Sequence, residues 1–116
     1  NATEDFLAAS PDLAQVVVDA YEKARAWAVE NPQEVVDILA EVAGIDPAVA
    51  ETVITERTAL DIDPVPGDAQ RDVLEVVGPI FVESGDVASQ DLIDAALDEL
   101  LDPTFAEAAD PSSIAG

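Results

Sequence analysis

Three times in its first half the chain places a helix-capping residue directly before a proline: Ser10-Pro11, Asn31-Pro32 and Asp46-Pro47. Few short patterns constrain local structure so tightly. A Ser, Asn or Asp side chain accepts from an unpaired N–H of the first helical turn. Proline fits the first helical position, where its missing N–H costs nothing. Proline also pushes the residue before it out of the α region, which ends any helix arriving from upstream. The chain is therefore divided into helices with set boundaries.

The first long helix is expected from Pro11 to about Glu30. Leu13, Val16, Val17, Ala20, Tyr21, Ala24, Trp27 and Ala28 recur at three- and four-residue spacing. That spacing makes one apolar stripe, expected to face the core. A second helix starts at Pro32, with Asn31 and Glu34 as a capping box, and presents Val35, Ile38, Leu39 and Val42. Gly44 closes it in a left-handed conformation. A third runs from Pro47 to about Arg57, with Val49, Val53 and Ile54 inward. Asp61 to Gly67 holds two prolines and a glycine and reads as an extended crossing loop. A fourth helix follows from about Asp68, with Val73, Leu74, Val76, Val77, Ile80 and Phe81 as its apolar positions. Gly78-Pro79 interrupts the pattern, so a kinked helix is preferred there, with a strand over Val76–Val82 as the alternative. Ser89 is expected to cap a fifth helix, with Leu92, Ile93, Ala96, Leu97 and Leu100 buried. Asp102-Pro103 starts a short turn through Phe105. The fold class is thus all-α, about five helices plus a short C-terminal turn.

In domain terms, Asn1-Ala2 resembles the remnant of a cleaved tag, residues 3–108 read as one helical portion, and residues 109–116 as a frayed tail. Thr3–Ala9 is a lead-in, either a strand end or a first turn.

Composition removes several function classes. The 116 residues include no cysteine and no histidine. That takes away the thiolate nucleophile and the commonest general base and transition-metal ligand. Twenty-six acidic residues against four basic ones give a formal charge of −22, a field that repels nucleic acid and anionic lipid. No apolar run reaches the length that spans a bilayer. A content of 49% hydrophobic residues excludes a solvating disordered tail. An EF-hand loop starting at Asp61 would need glycine and glutamate where Pro66 and Asp72 stand. An acyl-carrier attachment site needs Asp-Ser-Leu, whereas Ser89 lies between Ala88 and Gln90. No catalytic residue, metal ligand or cofactor is assigned.

Two residues remain as ligand-binding candidates. Trp27 and Tyr21 lie about 120° apart around the helix and cannot both centre one stripe. Tyr21 is expected in the core with Trp27 flanking it, unless one lines a ligand cleft or a subunit contact. Arg57, at a helix end, suits the helix dipole or, in a cleft, an anion.

The order of these signals resembles the late part of bacterial substrate-binding proteins of ABC importers, of the nitrate, sulfonate and taurine type. Phe6-Leu7-Ala8-Ala9-Ser10-Pro11-Asp12-Leu13 is similar to the phrase that leaves the family's sheet and begins a long helix. Asn31-Pro32-Gln33-Glu34-Val35-Val36-Asp37-Ile38-Leu39-Ala40-Glu41-Val42-Ala43-Gly44-Ile45-Asp46-Pro47 resembles the segment that follows it. The proline crossing at Asp63–Pro66, the glycine-ended helix at Gly85 and the closing acidic helix Leu92–Leu101 keep the family's order. Gly78-Pro79 departs from it, because the family's helix usually runs unbroken there. The resemblance implies a fragment of a two-lobed α/β protein, located outside the cytoplasm and serving importer membrane subunits with a small solute. It implies that the sheet these helices pack on is missing, and hence exposed apolar faces and self-association. The other reading is a free-standing acidic interaction module, a closed bundle with every stripe paired.

Overall fold

The computed structural model describes residues 1–115, and all regular structure among them is helical. Helix α1 spans Glu4–Ala9, α2 Pro11–Glu30, α3 Pro32–Ala43, α4 Pro47–Arg57, α5 Asp68–Glu83, α6 Gln90–Leu100 and α7 Thr104–Glu107, before a 3₁₀ turn at Pro111–Ser113. The proline starts fall where the sequence sets them. The lead-in is more than a first turn: Thr3 Oγ1 accepts from the Phe6 N–H at 3.2 Å and caps α1.

The capping chemistry differs among the starts. Asp46, with extended backbone (ψ 135°), accepts the Ala48 N–H at 2.9 Å. Ser10 and Asn31 make no side-chain cap bond, contrary to expectation. Each is a one-residue junction that ends one helix and starts the next, and both hold ψ at 54°. In that conformation Asn31 serves the helix behind it, its Nδ2 donating to the Trp27 carbonyl at 2.8 Å. The expected Asn31–Glu34 capping box is absent. Ser89 likewise makes no side-chain cap bond. Gly44 closes α3 in the left-handed region (φ 64°), with the Ile45 N–H donating to Ala40 O.

The chain forms two compact units. Among the described residues, one comprises residues 1–63 and 109–115, the other residues 64–108. The proline loop, read from sequence as a crossing within one portion, is where the first boundary falls. In the first unit α3 and α4 pack as a pair, with Val36 and Ala50 buried. In the second, α5 packs on α6 through Gly78 and Leu97. Helix α5 continues through Pro79, so the strand alternative is excluded. Gly78 explains why a small residue stands there: a Cβ would lie 2.5 Å from Ile93 Cγ2. Gln70 Oε1 accepts from the Gly67 N–H at 3.0 Å and anchors the start of α5.

Residues 109–115, read from sequence as a tail, carry a 3₁₀ turn placed against α2. Asp110 repeats the cap-proline signal, its Oδ1 accepting from the Ser112 N–H at 3.0 Å. The resulting turn docks on α2 through Asp19 and Lys23.

The buried core is small. Ala14, Val36, Ala50 and Leu97 are its hydrophobic residues, and Asp19 is its charged member. Free-standing globules of roughly 7 and 5 kDa would together expose roughly 7,200 Å²; these two units expose 8301 Å². Contact between the units would only lower that figure, so the excess belongs to the units themselves.

Candidate functional site

Helix α2 is turned over relative to its pattern. Leu13, Val16, Val17, Ala20, Tyr21, Ala24 and Trp27 are exposed, Leu13 by 53% and Tyr21 by 73%. The opposite side is the sheltered one: Gln15, Val18, Glu22, Lys23 and Arg25 are half-buried, and Ala14 and Asp19 are buried. Tyr21, which the periodicity places in the core, is therefore on the surface. The reason lies in what packs on α2. The C-terminal turn and the Leu60 carbonyl offer hydrogen-bonding groups, and these draw the helix's polar face inward.

Asp19 is the centre of that face. One oxygen accepts from the Asp110 N–H at 2.9 Å and from Gln15 Nε2 at 2.9 Å; the other accepts from Ser113 Oγ at 2.8 Å. The Asp110 N–H above all, then Gln15 and Ser113, holds its carboxyl below the usual 3.8 against the opposing effect of burial. Lys23 Nζ donates to Ile114 O at 2.8 Å. The sequence carried a signal for this clasp, because Asp110-Pro111 is one more cap-proline start and Gln15, Asp19 and Lys23 follow at four-residue spacing.

Three of the four cations close structural gaps. Lys23 holds the C-terminal segment. Arg25 donates from Nε and one terminal nitrogen to Glu22 Oε2, at 3.0 and 2.8 Å, and from the other to Leu60 O at 2.8 Å. Its pKa is raised by the Glu22 bond first, with Asp61 and Asp63 adding their charge, against desolvation. Arg71 donates to Leu97 O at 2.8 Å, one of the unpaired carbonyls at the end of α6, and faces Asp98 at 3.5 Å and Glu75 at 3.9 Å.

Arg57 is the fourth, exposed in the last turn of α4, with no hydrogen bond or ion pair among the described residues. Trp27 lies on α2, 40% exposed. Helices α2 and α4 do not pack on each other, so the two candidate ligand residues are not brought together. Arg57 also sits at the negative end of its helix and next to Glu56, an environment that suits a cation and weakens attraction for an anion. No group of three or more acidic side chains among the described residues is placed to hold a metal ion. Apolar side chains are exposed on α5 as well, at Val73, Val76, Ile80 and Phe81, while those along α2 form a strip free of charge. Compared with models of protein families, with curated proteins and with solved structures, the chain matches none.

Proposed function

We propose that this chain is the C-terminal helical part of an extracytoplasmic solute-binding protein, which delivers a small solute of the sulfonate, nitrate or taurine kind to an ABC importer. The outward stripe of α2 carries the reading. A helix whose apolar side is bare while its polar side is sheltered has the pattern of an element made to cover something beyond the chain. A free-standing interaction module built as a closed bundle would have that stripe inside. The order of helix starts from Phe6 to the α7 region supports the same parentage; Gly78-Pro79 remains a departure in sequence, although α5 continues through it.

In this reading the chain is scaffold, not catalyst. The importer's membrane subunits would be met by the full-length protein. The solute would be held mainly by residues outside these 116, since three cations are committed to backbone carbonyls. Arg57 and Trp27 are the positions to substitute in the full protein. The deciding observation is the coding sequence upstream of Thr3. A long α/β region behind a signal peptide is expected; a start codon beside Thr3 refutes the proposal.

A further inference from the structure

We propose that, in this chain by itself, a second copy covers the α2 stripe, through antiparallel pairing of the two α2 helices. Leu13, Val17, Ala20, Ala24 and Trp27 alternate at spacings of four and three, the seam of a helix pair. From Val16 round to Tyr21, about 140° of the helix surface carries no charged side chain. On α2 the acids Asp12, Asp19, Glu22 and Glu30 lie beyond one edge of the seam, behind Lys23, and Arg25 lies beyond the other.

The seam also selects an orientation. A two-fold axis at Ala20 sets Trp27 of one copy against Leu13 of the other, and Ala24 against Val16. Large thus meets large at the ends, and alanines let the backbones approach in the middle. Parallel pairing would stack Asp12 on Asp12 and Glu30 on Glu30, and would align the helix dipoles. Antiparallel pairing separates the like charges and opposes the dipoles.

Area sets the strength. With aromatic side chains supplying roughly 150–250 Å² when fully covered, the exposed fractions along the stripe amount to on the order of 500 Å² per copy. Two copies would bury about 1,000 Å², at the lower limit for a specific interface, so a reversible micromolar dimer is expected. Because both partners are acidic, added salt should tighten it by screening their repulsion.

Sedimentation equilibrium of the full chain, from about 1 to 500 µM at low and high salt, reads the association directly. A monomer–dimer equilibrium that strengthens with salt is expected. Ala20→Glu, on the exposed centre of the stripe, should leave helicity unchanged and shift the equilibrium at least tenfold toward monomer. Val42→Glu, on an exposed position of α3, should leave the dimer intact. The chain has no cysteine of its own, so single cysteines report geometry. Ala20→Cys should cross-link to itself under oxidation, and Leu13→Cys should not. Strict monomer throughout, equal loss in both glutamate variants, or ready cross-linking of Leu13→Cys would each overturn the proposal. The parentage is decided separately by the upstream sequence, so failure of either idea leaves the other standing.

Discussion

Replacing Gly78 by alanine tests how α5 meets α6. A Cβ at this position would stand 2.5 Å from Ile93 Cγ2 and 3.6 Å from its Cβ. Carbon atoms rest about 3.5–4.0 Å apart, so about 1 Å must be found. Ile93 is β-branched and stiff in a helix, so its γ2 methyl has little freedom to swing aside. Overpacking of this kind costs about 1–3 kcal/mol. Alanine returns about 1 kcal/mol in helix propensity. The balance is a loss of about 1 kcal/mol, which for a unit this small lowers the midpoint by about 10 °C. Amide exchange of residues 68–100 in the full chain, followed against temperature, is the suitable assay. Ile93→Leu moves the branch away from Cβ and should restore most of the loss in the double variant. A Gly78→Ala chain as stable as the parent, or more stable by the propensity gain, would refute the close approach.

Capping should divide the proline starts: Asp46→Ala is expected to cost about 1 kcal/mol and Ser10→Ala only a few tenths, measured by thermal unfolding followed by circular dichroism. Arg71→Gln removes the donor to Leu97 O. With the side chain partly exposed, the loss should be about 1 kcal/mol, read as faster exchange at the end of α6. Asp19 binds its proton less readily folded than unfolded. Its contribution is therefore complete above the ordinary value of 3.8 and is lost as pH falls through the lowered folded value. Protection factors at Asp110 and Ser112, taken against the intrinsic rate at each pH, should fall on acidification below that point, and Asp19→Asn should flatten the acid step.

Helix boundaries were legible because proline acts locally: it excludes the α region one residue upstream whatever packs nearby. Pro11, Pro32 and Pro47 therefore start helices where the sequence puts them. Cap hydrogen bonds were less legible, since they depend on ψ at the junction. The one-residue links at Ser10 and Asn31 impose a value that the extended Asp46 escapes. Burial was the least legible. Periodicity says that one side of α2 is apolar, but what that side meets depends on distant residues. Here Asp110, Ser113 and Ile114, about ninety positions away, engage the other side. The same holds for the candidate site. Arg57 is marked by its place at a helix end, whereas nothing marks Arg25, because Leu60, its carbonyl partner, carries no signal in the sequence.

The orientation of α2 underlies both the parentage and the pairing, and hydroxyl-radical footprinting measures it. The chain should be labelled at concentrations where scattering shows monomer. The account predicts that Leu13, Val17 and Tyr21 are oxidised at a substantial fraction of their unfolded-chain rates, while Val36 is protected. Protection of Leu13, Val17 and Tyr21 equal to that of Val36 would mean that the apolar stripe faces inward, and would contradict it.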